Sequence, residues 1–247
     1  MGKLIKYNLK SYYKELIILI SLILIGNIFF LSRENIWPRE AIFMLSLMVC
    51  IFSNFIVFIW NIQVFSKDLY SDTCYLICSL PERGSSILGA KIITSFIQLV
   101  VVNIVAGLFF YINMIKIPQG YDAISRFINY KSVTLVCIFY VITYLELLLS
   151  AYFSISLSRI TIKRRRFNKL GSFAIFLFIG WVLAKIEGLI STSFDKFINF
   201  NLVSNSVNLR FYMPNTSINV AGLIFNLISI VVMFLVISYL LEKKVEV

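Results

Sequence analysis

The stretch Ile218–Leu241, INVAGLIFNLISIVVMFLVISYLL, contains no Asp, Glu, Lys or Arg. A helix needs roughly 20 predominantly apolar residues to cross a bilayer, and this run supplies them. Toward the N-terminus five more runs meet the same requirement: Leu16–Leu31, Ala41–Val64, Ile87–Met114, Val133–Ser156 and Gly171–Ile190. The first is the shortest, and the residues before it can extend it. Ile87–Met114 is long enough to tilt. Six such helices in 247 residues leave almost no room for a soluble domain. The sequence predicts an all-α polytopic membrane protein with six transmembrane helices, residues 1–247 forming one transmembrane domain.

Composition agrees. The chain is 60% hydrophobic and 14% charged, with a mean hydropathy of +0.89, whereas a soluble domain is about 45–50% apolar and about 25% charged. A soluble enzyme and a nucleic-acid binder are both excluded. Histidine is absent, which removes the commonest metal ligand and general base. Zinc proteases and Ser-His-Asp triads go with it. No catalytic residue and no metal ligand emerges. Cys50 and Cys137 sit within apolar runs, and Cys74 and Cys78 lie in a segment expected to be cytoplasmic. All four read as small packing residues.

The net charge of +11 is a topology signal. With the N-terminus inside, cytoplasmic segments carry fifteen Lys and Arg and outer segments seven. Positive charge concentrates on the inner side of membrane proteins, so both termini are expected in the cytoplasm. The cluster Lys163–Arg166 directly follows an apolar span and reads as an anchor at anionic lipid headgroups, not a nucleic-acid patch. Near the N-terminus, Lys3, Lys6, Lys10 and Lys14 line one face, with Leu4, Tyr7 and Tyr12 near another. Residues 1–15 are therefore expected to form an amphipathic helix in the inner interface. No small-x-small cleavage site follows Gly26, so the first span is expected to remain as an uncleaved helix.

The segment between the second and third spans, FSKDLYSDTCYLICSLPERGSSILGAK from Phe65 to Lys91, is the most informative connector. Its apolar residues Leu69, Leu76 and Leu80 recur, with Thr73, near helical spacing over Lys67–Ser79. Pro81 disfavours helix at Leu80, and Gly84-Ser85-Ser86 reads as a turn and cap before the next helix. The inner face thus presents a short helix, a proline break and a second helix entering the membrane.

An amphipathic N-terminal helix, six spans with both ends inside, and a segment of the form F-x-K-D-L … L-x-x-S-L-P-x-x … G-A-K together resemble the permease subunits of type-two ABC exporters. These are the small bacterial kind that work with a separate ATPase. The resemblance covers nearly the whole chain in architecture and Phe65–Lys91 in residues. It implies that residues 65–86 form the cytoplasmic coupling segment, seated in a groove of the ATPase. Lys67, Asp68, Leu69 and Asp72 would contact that subunit, and Leu80, Pro81, Glu82 and Arg83 would form the turn behind them. Permeases of this size serve lantibiotic or bacitracin self-protection and the export of amphipathic peptide toxins such as phenol-soluble modulins. The resemblance further implies a second permease copy or a sister permease, an amphipathic peptide as cargo, and a multi-pass place in a bacterial cell membrane. The chain has no G-x-x-x-x-G-K-[ST], so no cofactor is expected on it, and ATP and Mg would be bound by the partner.

Polar residues within the spans form stripes. Ser46, Cys50, Ser53, Asn54 and Asn61 share a face of the second span, and Thr143, Glu146, Ser150, Ser154 and Ser158 a face of the fourth. Gln98 and Asn103 add polarity to the third. Such stripes ordinarily mean helix–helix hydrogen bonding. The alternative is a substrate path lined by Asn54, Trp60, Asn61, Gln98, Glu146 and Ser150, with Phe55 and Phe58 interleaved to suit an apolar cargo. Glu146 is the sharpest single residue, near the middle of the fourth span with no charge within a turn on either side. Lys185 and Glu187 lie in the outer third of the fifth span and read as an interfacial anchor. The outer stretch 191–217, rich in Phe and Asn, is expected to be a partly ordered cap, and the resemblance implies short helices there.

The expected function is therefore the transmembrane subunit of an ATP-driven exporter of amphipathic or hydrophobic peptides, and not an enzyme in its own right. Two alternatives stand beside it. An ion-coupled secondary transporter would show inverted repeats and several membrane charges. A non-transporting membrane immunity protein would share this composition.

Overall fold

The structure, a computed structural model, describes residues 2–70, 83–116, 130–161, 168–194, 197–200 and 216–243. These form helices α1 (Gly2–Ser32), α2 (Arg39–Tyr70), α3 (Gly84–Ile115), α4 (Tyr130–Thr161) and α5 (Asn168–Ser193), strands β1 (Phe197–Phe200) and β2 (Thr216–Asn219), and helix α6 (Val220–Lys243). All six helices of the described residues are long and apolar enough to cross a membrane. The chain is a multi-pass, all-helical membrane protein with one short β-ribbon.

The side-chain pattern is that of a membrane protein turned toward lipid. On α2 the buried positions include Ser46, Ser53, Val57 and Asn61, at heptad-like spacing, while Phe52 and Phe55 are exposed. On α4 Ser150, Ser154 and Ser158 are buried. Small and polar residues go inward, where they let helices approach and bond, and large apolar ones face outward. In water such exposed apolar area would aggregate. The α5 span has none of its most apolar window buried.

The chain divides into two compact units. One comprises Met1–Asn61 and Gly89–Ile128, and the other Ile62–Leu88 and Asn129–Val247. In the first, Leu19 and Ile23 of α1 meet Val57 of α2 and Val102 and Ala106 of α3, flanked by Val49, Cys50, Trp60 and Val105. Pro38 opens α2: its carbonyl accepts from the amides of Ala41 and Ile42 at 3.0 and 3.3 Å. Beside it, Lys116 bonds Glu34, and Arg39 Nη1 donates to the Lys116 carbonyl at 2.7 Å. The Lys116 hydrogen bond holds the Glu34 carboxyl below its ordinary range, and the charges of Lys116 and Arg39 act in the same direction.

In the second unit α4 packs extensively on α5 and α6. Asn219 joins the last two helices. Its Oδ1 accepts from Ala221 and Gly222 at 2.8 and 3.3 Å, capping α6, while its Nδ2 donates to the carbonyls of Ser191 and Phe194 near the end of α5 at 3.2 and 2.7 Å.

Several expectations change. α1 is one continuous helix of 31 residues, about 46 Å at 1.5 Å per residue, so residues 3–14 extend the first span without a break. Its covered face runs through Leu4, Asn8 and Tyr12; Tyr7 is 70% exposed and belongs with the lysines. Lys67, Asp68 and Leu69 are the last turn of α2, since its apolar periodicity runs on to Tyr70 without a breaker. Gly84, Ser85 and Ser86 are not a turn: they are the first residues of α3, and the cap is the Arg83 carbonyl, accepting from Ser86 and Ile87 at 2.9 and 3.2 Å. Where short helices were expected in 191–217, the described ends pair as antiparallel strands, from Phe197 opposite Asn219 to Phe200 opposite Thr216. Phe197, Ile198 and Phe200 are of the aromatic and β-branched types enriched in strands. Asp72, Leu80, Pro81, Glu82, Cys74, Cys78 and the cluster Lys163–Arg166 lie outside the described residues.

Candidate functional site: polar contacts between the spans

Within the first unit, polar side chains of α2 and α3 bond directly to each other. Asn54 Nδ2 donates to Asn103 Oδ1 at 3.2 Å, and Asn103 Nδ2 donates back to Asn54 Oδ1 at 2.7 Å. Two turns along α2, Asn61 Nδ2 donates to Gln98 Oε1 at 3.0 Å. The amide groups of Asn54, Asn61 and Asn103 also reach the carbonyls of Cys50, Val57 and Leu99, one turn back on their own helices. Asn61 and Gln98 are each 5% exposed. The sequence stripe is thus a zipper of amides, each supplying the partner the other needs where no water competes. Trp60 is half-buried against the apolar cluster of this unit, not a member of the zipper.

The zipper has a measurable consequence. Asn61→Leu or Gln98→Leu removes the bond between the two helices and leaves the other amide without that partner, at about 1–3 kcal/mol each. A double-mutant cycle on the reconstituted chain is expected to give a coupling of about 0.6–1.7 kcal/mol, the range measured between membrane helices. Strictly additive losses would count against the bond.

In the second unit, the two ends of the segment 71–82 are both fixed. At the end of α2, Phe65 stacks on Tyr152 of α4 with ring centroids 4.1 Å apart and planes 17° from parallel. Both rings are 1% exposed. Tyr70 Oη donates to the Ile155 carbonyl at 3.2 Å, and Leu69 is buried. At the start of α3, the Gly84 amide donates to Glu242 Oε1 of α6 at 2.9 Å. Gly84 lies so close to α6 that a Cβ on it would stand 2.7 Å from the Ser238 carbonyl oxygen. Of the residues expected in the coupling segment, Lys67, Asp68, Leu69 and Arg83 therefore sit on or beside these anchors.

The same unit brings together groups that sequence reasoning kept apart. Asn226 Nδ2 of α6 donates to Glu187 Oε1 of α5 at 3.4 Å. Glu187 is thus bonded to α6 and not only an interfacial anchor beside Lys185. Ser150, expected to share the path with Glu146, instead donates to the Leu147 carbonyl of its own helix at 2.8 Å. The signal for Asn226 was present, as an amide inside an uncharged span, and Asn219 stands just before that span's helix as an N-cap residue should. Cys50 and Cys137 are free thiols. Among the described residues no cluster of three or more His, Cys, Asp or Glu could hold a metal ion. No protein-family model, curated protein or solved structure matches this chain.

Proposed function

We propose that this chain is the membrane subunit of an ATP-driven exporter of the type-two ABC kind, moving amphipathic or hydrophobic peptides out across a bacterial cell membrane. The ATPase is a separate subunit, which supplies ATP and Mg chemistry, and a second permease completes the path. One observation carries the reading: both ends of the segment 71–82 are docked into one unit, α2 on α4 through Phe65, Tyr152 and Tyr70, and α3 on α6 through Gly84 and Glu242. Helix ends held this way would pass a push on the connector to α4 and α6, which a coupling element requires. Asp68 and Arg83 stand at its two ends; by the resemblance Asp68 belongs to the helix that meets the ATPase and Arg83 to the turn behind it. Glu82, with Leu80 and Pro81, completes the resemblance to a coupling turn.

The test is co-expression with the ATPase encoded beside the gene, followed by co-purification and ATPase assay in lipid. Asp68→Lys with Glu82→Lys is expected to release the partner and remove its stimulation by at least about tenfold, since reversed charges at an interface cost several kcal/mol. Retained binding in that double variant rejects the coupling role. A second reading, an ion-coupled secondary transporter, draws on Glu146, a carboxyl near the middle of the α4 span. It requires peptide efflux from vesicles driven by an ion gradient without ATP.

A further inference from the structure

The end of α1, the start of α2 and the end of α3 surround a cavity of about 10 Å³, lined by Leu31, Glu34, Arg39, Ile42, Asn113 and Lys116. All six belong to the first unit. The volume holds one water-sized group. α1 ends at Ser32, α2 begins at Arg39 and α3 ends at Ile115. The cavity therefore stands where three apolar spans stop, at the depth of lipid headgroups. Trp37 in the α1–α2 connector and Tyr111 in the last turns of α3 are exposed, as aromatic side chains at a membrane interface are. Asn113 is 3% exposed, and neither its Nδ2 nor its Oδ1 has a hydrogen-bond partner among the described residues. Of the buried amides among those residues, only Asn113 lacks a partner at both atoms.

Two cations share the lining with one anion. Lys116 bonds Glu34, and Arg39 Nη1 donates to the Lys116 carbonyl at 2.7 Å. An ammonium carries three donors and a guanidinium five, so both keep N–H groups for a further acceptor. Their side chains are 40% and 50% exposed and can reach one. Of the sequence neighbours, Arg33 is held over the Phe29 ring at 5.6 Å, and Glu40 does not line the cavity. Their charges cancel. The lining thus keeps one positive charge in excess, which selects an anion. The amide of Asn113 selects more narrowly. Nδ2 needs an acceptor and Oδ1 a donor, within room for one small group. A phosphodiester oxygen only accepts, an ammonium only donates, and a choline methyl does neither. A hydroxyl does both.

We propose that this cavity binds the headgroup of an anionic phospholipid that carries a hydroxyl, of the phosphatidylglycerol type. The hydroxyl enters the cavity, donating to Asn113 Oδ1 and accepting from Asn113 Nδ2. The phosphate stays at the rim on Arg39 and Lys116, and the acyl chains lie along the exposed apolar faces of the spans. A lipid held there ties the ends of α1, α2 and α3 together. The site stands on these three helices alone and does not depend on the exporter reading.

Native mass spectrometry of the full chain in detergent tests it by counting bound lipid. The chain is titrated with phosphatidylglycerol, with phosphatidylmethanol, which has the same charge and no hydroxyl, and with phosphatidylcholine, all with the same acyl chains. Glycerol 1-phosphate supplies the headgroup without chains. The first phosphatidylglycerol is expected to bind about tenfold more tightly than phosphatidylmethanol, the effect of hydrogen bonds made in a buried site. Phosphatidylcholine should bind more weakly than either. Asn113→Leu should abolish the preference for phosphatidylglycerol over phosphatidylmethanol. It should leave the melting temperature of the lipid-free chain unchanged or higher, because a buried amide without partners is removed. Arg39→Gln should weaken both anionic lipids by about fivefold and leave their ratio intact. Equal binding of phosphatidylglycerol and phosphatidylmethanol overturns the proposal, since Asn113 then holds water only. A preference that survives Asn113→Leu overturns it too, as does a lower lipid-free melting temperature in that variant. Glycerol 1-phosphate that displaces phosphatidylglycerol at equal concentration rejects a lipid as the occupant. If a variant fails to fold, acetylation of Lys116 in the wild-type chain decides: phosphatidylglycerol must slow it more than phosphatidylmethanol does, and equal slowing sinks the site.

Discussion

Tyr152→Ala is expected to destabilise the α4–α6 unit by about 3–5 kcal/mol, the cost of truncating a large buried aromatic. Tyr152 is fully enclosed by protein, and it stacks on Phe65, itself as deeply buried. In a bilayer the gain from removing apolar surface from water is absent, so the cost lies in lost dispersion contacts and the cavity left behind. That cavity is lined by protein and cannot refill with an acyl chain. Phe65→Ala should cost nearly as much, and the double variant much less than the sum, because the two rings fill one space. Tyr152→Phe keeps the stack and should lose at most about 1–3 kcal/mol. Thermal or SDS unfolding of the purified chain measures all four. A loss under about 1 kcal/mol for Tyr152→Ala means that the end of α2 is not held by α4. The proposed coupling role would then lose one of its two anchors.

The sequence made some of this legible. Six apolar runs announced themselves by length alone, and the spacing of Asn54 and Asn61 announced a bonded face on α2. Which amide meets which did not follow, because pairing depends on how α2 and α3 cross, and no local signal encodes it. Helix ends were less accessible. Leu69 and Tyr70 look like the start of a short surface helix, but they are buried or bonded in the last turn of α2. The stretch Phe197–Phe200 has too few residues for periodicity to choose between strand and helix; its partner, Thr216–Asn219, lies beyond an intervening stretch and decides the matter. Glu187 was read from its position near a span end, where a charge is cheap. Its meaning came from Gly222 and Asn226 on another helix, which spacing along α5 cannot reveal.

Gly84→Ala is the second large effect, and its sign separates two accounts of the same residue. Helix propensity alone favours alanine over glycine by about 1 kcal/mol. The docking geometry opposes it. A Cβ at residue 84 would stand 2.7 Å from the Ser238 carbonyl oxygen, 3.0 Å from Glu242 Cγ and 3.2 Å from Leu241 Cβ. The nearest of these is backbone, which cannot rotate away as a side-chain end can. α3 must therefore shift from α6, and the Gly84 amide loses its bond to Glu242 Oε1. Overpacking costs about 1–3 kcal/mol, so Gly84→Ala should destabilise on balance, and Gly84→Leu should exceed it. Gly107 and Gly180 supply the control, since nothing stands within 4 Å of a Cβ at either. Alanine there should stabilise by about 0.5–1 kcal/mol. Melting temperatures of the three alanine variants decide the sign, and hydrogen exchange at the Gly84 amide reports the bond directly. If Gly84→Ala raises the melting temperature as the controls do, the start of α3 is not seated on α6. A push on the segment 71–82 would then reach α4 at one end and nothing at the other, and rigid coupling through this segment would be rejected on mechanical grounds, whatever partner binds it.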